Sequence, residues 1–249
     1  MSKTYKNPPL LEAVCEFRFV VKGDLSTENI GAFYTAIQTS FPKQKKGKMN
    51  KLEFHIDAEK TPEENKKNIN QDYYEFEQYF SDDEKYSVQL DGGRVSIHRI
   101  KPYKSWTDFL PLIQLVHNAY TTHFHPTGVA RIGIRYINEI ILPSSGFNFS
   151  DYFALQASVP SLEENSRQSI FLGALYEQNE SRDAIKVQFA DKQQGNQDIR
   201  AFILDLDYFL AKPVIPLADL DQWLGEAHTN LETVFEGVLT EKAKAVFDK

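Results

Sequence analysis

The sequence predicts an α+β fold, antiparallel sheet with three main helices, and three observations carry that expectation. Strand-type segments follow one another instead of alternating strictly with helices, which favours antiparallel pairing over a doubly wound parallel sheet. Short turn signals, "SDD" at 81–83 and "DGG" at 91–93, join neighbouring segments as hairpins. Three longer stretches carry apolar residues at helical spacing, near the start, the middle and the end of the chain.

Taken in order, "NPPLLEAVCEFRFVV" at 7–21 opens the fold with a strand at about 11–22 whose Ala13, Cys15, Phe17, Phe19 and Val21 share one face. "GDLSTENIGAFYTAIQTSF" follows with cap candidates Asp24 and Ser26 and the stripe Ile30, Phe33, Ile37 and Phe41, a helix that Pro42 ends. Residues 43–51, "KQKKGKMNK", hold five lysines in nine positions and read as a loop before a short strand "LEFHID" at 52–57 and a polar stretch at 58–70. "DYYEFEQYFS" and "EKYSVQLDGGRVSIHRI" are aromatic and β-branched, hence a meander. The second helix spans 105–124, with Ser105 as cap, Asp108 three residues on, and Phe109, Leu112, Ile113, Val116 and Tyr120 inward despite Pro111. "TGVARIGIRYINEIIL" at 127–142 is the longest strand, and a turn of helix at "FSDYFAL" precedes three more strands at about 168–177, 183–190 and 198–210. Leu220, Trp223, Leu224, Ala227, Leu231, Val234, Phe235 and Val238 stripe the last helix. The 249 residues read as a single α+β domain; its halves, about 1–126 and 127–249, share a plan that a duplicated strand–helix–meander unit would produce, although no sequence repeat proves one.

Bulk composition narrows the function classes. With 28 Lys and Arg against 35 Asp and Glu the net charge is −7, which disfavours a dedicated nucleic-acid binder and leaves the lysine-rich stretch 43–51 as the one place for such contact. The lone Cys15 excludes an internal disulfide and a cysteine zinc cluster, and it reads as a core residue. No apolar run approaches the length of a membrane span and the first ten residues lack a secretory segment, so a cytoplasmic protein is expected.

Charged strand faces supply the first candidate site. Alternation sets Glu12, Glu16 and Arg18 on one side of the first strand, Arg131, Arg135 and Glu139 on one side of the long strand, Asp205 and Asp207 on one side of the last, and Glu75 and Glu77 opposite Phe76. On a solvated sheet these would be cross-strand ion pairs such as Glu16 with Arg131 or Arg135. On a sheet curled into a groove or tunnel, Arg18, Arg131 and Arg135 would grip phosphate or carboxylate, and the carboxylates a divalent cation. That second arrangement resembles the triphosphate tunnel enzymes, whose first strand alternates Glu, Glu and Lys; here Glu16 and Arg18 keep the alternation and Val14 stands where the first Glu belongs. A partner-binding candidate is the "PYKSW" turn, where Tyr103 and Trp106 either present aromatic surface or clamp the helix to the sheet, together with Lys45, Lys46 and Lys48 of the lysine-rich stretch. His228 and Glu232, one helical turn apart, read as a surface pair, and His117, His123 and His125 have no metal-ligand spacing, so no metal or cofactor is expected. Phosphate-loop, dinucleotide, zincin and serine-hydrolase motifs are all missing from the sequence.

"NPPLLEAVCEFRF" and "GIRYINEI" at 133–140, with "PYKSWTDF" at 102–109 and the closing "WLGEAHTNLETVFEGVLTEKAK", resemble a sporadically distributed family of uncharacterised bacterial proteins of about this length. The resemblance spans essentially the whole chain. It implies a bacterial, cytoplasmic protein and transfers no site residue. Together with the missing catalytic motifs, the expectation is a non-catalytic binding or adaptor protein recognising a protein partner or ligand, in a setting such as phage defence or toxin control. The last helix packs on its own sheet in the simpler account and forms a homodimer surface if its stripe is wider than the sheet can cover, and a phosphate-handling, metal-dependent enzyme is the alternative function.

Overall fold

A computed structural model describes residues 5–21, 26–54, 69–156, 161, 167, 169–192, 198–212 and 219–248, with the side chains of 48–54 and 69–75 left aside. The chain runs β1 (Leu10–Val20), α1 (Thr27–Ile37), β2 (Lys43–Phe54), β3 (Ile69–Phe80), β4 (Tyr86–Asp91), β5 (Arg94–Ile100), α2 (Trp106–Phe124), β6 (Gly128–Pro143), α3 (Phe149–Tyr152), β7 (Phe171–Gln178), β8 (Asp183–Lys192), β9 (Ile199–Leu210), α4 (Leu220–Val238) and α5 (Glu241–Lys244). The nine strands form one antiparallel sheet in the order β2-β3-β4-β5-β1-β6-β9-β8-β7. Three of the five described helices are substantial, at 11, 19 and 19 residues. An α+β architecture follows.

The sheet order has a simple logic. Each meander returns its last strand to the strand that opened it, β5 beside β1 and β9 beside β6, and β1 and β6 pair at the centre. Alternation then decides what is buried. Cys15, Phe17, Ile97, Ile134 and Leu206 are fully buried on one face, beneath Phe33, Ile113, Tyr120, Leu224 and Leu231 of the helices. Burial raises the Cys15 thiol pKa, with the Glu16 carboxylate adding to the rise, which keeps the thiol protonated and unreactive. The caps are as the sequence predicts: Ser26 accepts from the Asn29 amide at 3.1 Å, and Ser105 accepts from the Asp108 amide at 3.2 Å while donating to its carboxylate at 2.6 Å. Asp24 lies outside the described residues.

Two expectations need correction. Residues 43–51 are not a loop: they open β2, an edge strand paired residue for residue with β3, because an edge strand tolerates lysines that keep the rim solvated. The expected strand at 52–57 is the continuation of β2 to Phe54; residues 55–57, like 58–68, lie outside the description. Glu77 does not join the charged face. It stands on the helix side with Tyr79, in register with Leu90 and Lys46, mostly covered and held by Gln44 Nε2 at 3.2 Å and Lys46 at 3.7 Å. Phe76 instead takes the open side and covers Gly47, whose missing Cβ leaves room for the ring.

Two internal clusters tie the second half together. Asp183, 1% exposed at the start of β8, accepts from Trp223 Nε1 at 2.9 Å, Tyr208 Oη at 3.0 Å, Asn179 Nδ2 at 2.7 Å and Arg182 Nη2 at 2.7 Å. It thereby joins the β7–β8 turn, β9 and the first turn of α4. Farther along, Phe149, Phe153, Phe189 and Phe202 form a ring cluster with centroids 4.8–6.4 Å apart.

Candidate functional site

The seven charged candidates share the sheet face opposite the helices, as separate pairs spread along it. Gly133 stands between them and carries no side chain, so the Arg131 guanidinium lies across it. From there Arg131 reaches Glu16 at 3.1 Å on β1 and Asp207 at 2.8 Å on β9. Arg135 holds Asp205 with two bonds, Nε at 2.8 Å and Nη2 at 2.6 Å. Arg18 bonds Glu16 at 2.8 Å, and Glu12 meets His98 Nδ1 at 2.8 Å, with His98 Nε2 on Ser96 at 2.9 Å. Among the described residues no helix covers this face.

The chemistry of that face is charge neutralisation. Each arginine faces a carboxylate, and exposed pairs of this kind contribute about 0.2–1 kcal/mol each. Burial raises the Asp207 pKa against the opposing pull of Arg131 and Arg135, and the hydrogen bond from His98 holds Glu12 below the usual carboxylate range. Among the described residues no group of three or more His, Cys, Asp or Glu side chains could hold a metal ion. Lys45 stands on the open side, 4.8 Å over the Phe80 ring, and Lys46 on the other, 3.7 Å from Glu77, so the two do not form one cationic patch. The Lys48 side chain lies outside the described residues.

A second region brings Tyr103 and Trp106 into a cleft of about 950 Å³ between the lead into β1, the turn before α2, strand β6 and helix α4. Its construction starts with Arg99, which falls on the buried side of β5, lies over the Tyr86 ring at 4.1 Å and donates to the Pro102 carbonyl, fixing the turn that carries both aromatics. A bulge between Leu10 and Glu12 shifts the β1–β6 register and turns Leu10 to the cleft side beside Asn138. Asn138 is buried and donates to the Leu204 carbonyl at 3.2 Å. Pro8 and Pro9 form part of the rim, and Glu232 and Glu236 line the α4 wall. Glu236 is engaged, accepting from Tyr5 Oη at 2.6 Å and pairing with Lys244 at 3.2 Å.

The floor of the cleft carries a set of contacts that sequence reasoning missed. His228 is not a surface residue: its ring stacks on Trp106 at 4.5 Å and 10°, its Nδ1 lies 2.8 Å from Tyr136 Oη, and its Nε2 lies 3.4 Å from Glu232. The Glu232 carboxylate attracts a proton to Nε2 from 3.4 Å without a hydrogen bond, and in that neutral tautomer Tyr136 donates to Nδ1. Burial favours this state, lowering the His228 pKa against the pull of Glu232 and raising that of Tyr136 well above its ordinary value. The alternation of β6 already placed Tyr136 inward, and the helical stripe placed His228 next to Ala227. Only the packing of α2 against α4 brings Trp106 over the ring.

Two consequences can be measured. Tyr103 Oη is buried beside the Tyr136 hydroxyl and makes no hydrogen bond of ordinary geometry among the described residues. Tyr103→Phe therefore raises stability by about 1 kcal/mol, read from the urea midpoint, because it removes a desolvated hydroxyl and leaves the packing. His117 is buried against Phe17, at 5.2 Å between centroids, and its Nε2 also lacks a hydrogen bond among the described residues. Burial lowers both the His117 and His228 pKa values below 6.5. The unfolded chain takes up these protons before the folded one does, so stability is full above about pH 6.5 and falls as pH drops below it, by at most about 1.4 kcal/mol per pH unit for each histidine. His117→Phe should flatten this acid-side loss in melting curves between pH 7.5 and 5, and parallel curves for the two proteins would refute the assignment.

Comparison with known proteins adds nothing to the geometry. No family model and no curated protein matches the chain. No described helix is long and apolar enough to cross a membrane.

Proposed function

We propose that this is a non-catalytic binding or adaptor protein whose recognition site is the cleft between α4, the turn before α2 and the lead into β1. The observation that supports it is the contrast between the two candidate regions. On the charged face the arginines and carboxylates satisfy one another. The cleft offers a volume in the range of ligand sites, flat apolar walls at Trp106 and Pro8–Pro9, and a carboxylate at Glu232. A partner segment placing an apolar side chain on Trp106, with a basic or hydrogen-bonding group beside Glu232, suits that lining. The neutral Tyr136–His228 pair orients the Trp106 ring without presenting a charge to the partner.

The resemblance of "NPPLLEAVCEFRF" and "GIRYINEI" to a sporadic bacterial family favours a bacterial, cytoplasmic setting, with phage defence or toxin control as the role for an adaptor. The halves at about 1–126 and 127–249 are consistent with descent from one duplicated strand–helix–meander unit, since β5 returns to β1 as β9 returns to β6.

Native mass spectrometry of protein purified gently from its own host tests the binding site. A stoichiometric added protein mass is expected with wild type and with Arg135→Ala. Trp106→Ala should lose it, with affinity down at least about tenfold while the protein remains folded. Retention by Trp106→Ala with loss by Arg135→Ala would transfer the site to the charged face and overturn the cleft.

A further inference from the structure

The two edges of the sheet are built differently. β2 carries Lys43, Lys45, Lys46, Lys48 and Lys51, the charge that natural sheets place on an edge to discourage further pairing. β7, "FLGALYEQ", has no lysine, no proline and no bulge against β8, and its one charge, Glu177, lies near its end. Phe171 is 71% exposed, Leu175 64% and Tyr176 55%, on a strand with one pairing partner among the described residues. An eight-residue apolar strand that, among the described residues, pairs on one edge only is a template for another strand.

The sequence of β7 suits its own reverse. In an antiparallel pair, facing residues lie on the same side of the sheet, so a two-fold axis through Ala174 sets Gly173 opposite Leu175, Leu172 opposite Tyr176 and Phe171 opposite Glu177 of the second copy. Leu175 of the second copy then stands opposite Gly173 and beside the Phe171 ring, which lies 3.9 Å from where a Gly173 Cβ would be, and Tyr176 meets an aliphatic partner on the other side. Phe171 lies diagonal to Leu175 of the second copy. Every exposed apolar side chain of the strand gains a neighbour, and Glu177 faces no like charge. We propose that two copies of this chain pair antiparallel through β7 about an axis at Ala174, joining two nine-stranded sheets into one continuous sheet. The surface is separate from the cleft and does not depend on what the cleft binds.

Sedimentation velocity on the whole protein reads the assembly, with variants at both edges. Wild type is expected to be a dimer, Leu175→Lys to weaken it at least tenfold while keeping the wild-type circular dichroism spectrum, and Lys45→Glu on the other edge to leave it unchanged. Cysteine substitution fixes the register, because Cys15 is fully buried and does not compete. Ala174→Cys should give a reducible covalent dimer, since residue 174 faces itself, and Leu175→Cys, which faces Gly173, should not. A wild-type monomer at about 100 μM, where a dissociation constant of that order would still show, overturns the proposal. So does a dimer indifferent to Leu175→Lys, and cross-linking by Leu175→Cys in place of Ala174→Cys overturns the register.

Discussion

Asp183→Asn is expected to destabilise the protein by about 3 kcal/mol, the upper part of the range for leaving buried donors without a charged acceptor. Asp183 is 1% exposed and receives bonds from Trp223, Tyr208, Asn179 and Arg182, all donors. Asparagine keeps the shape but replaces one acceptor oxygen with an NH₂ group, so donors meet donors, while Arg182 keeps Glu226 at 3.0 Å as its remaining counter-charge. Burial alone would raise the Asp183 pKa, yet the bonds from Arg182, Trp223, Asn179 and Tyr208 outweigh it and hold the carboxyl below the usual value. With the folded pKa depressed, the stabilisation is present at neutral pH and is lost as pH falls below about 4. Urea unfolding at pH 7 measures the cost, and a change under about 1 kcal/mol would show that the hub carries little of the fold. Because Trp223 opens the helix that also carries His228 and Glu232, the same variant should weaken whatever the cleft retains.

Phe202→Ala is expected to cost a similar amount, about 3–5 kcal/mol, through the cavity it leaves. Phe202 is 1% exposed and its ring lies 5.0 Å from Phe153, 5.3 Å from Phe189 and 5.6 Å from Phe147. Phe153 in turn bridges Leu239, just past the end of α4, so the cluster anchors the return of the chain after its last long helix. Phe202→Leu keeps most of the volume and should cost less than about 1.5 kcal/mol. Thermal and urea unfolding of the two variants give the comparison; equal losses would mean that ring stacking, and not filled volume, holds the cluster.

Local pattern made much of this legible. Period-two alternation in β1, β6 and β9 assigns Cys15, Ile134 and Leu206 inward and Glu16, Arg135 and Asp205 outward, because a strand has only two faces and water selects one. Helical periodicity finds α4, whose Leu220, Trp223, Leu224, Ala227 and Leu231 are buried. The same rule misplaced residues 43–51, where lysine content resembles a loop although the backbone pairs with β3. It also set Glu77 on the wrong face, since a carboxylate can stand on the helix side where Gln44 and Lys46 of the neighbouring strand hold it.

What the sequence by itself determined was which side chains belong inside, where the helices begin, and that the charged residues share one strand face, all consequences of residue type repeated at a fixed period. What only the tertiary structure decided was which faces meet. Register placed Arg131 across Gly133 between Glu16 and Asp207, the β1 bulge turned Leu10 toward the cleft, and the packing of α2 beside α4 laid Trp106 on His228. Those contacts join residues far apart in the chain, whose separation leaves no periodic mark. Their geometry is set by packing and hydrogen bonding summed over the whole sheet.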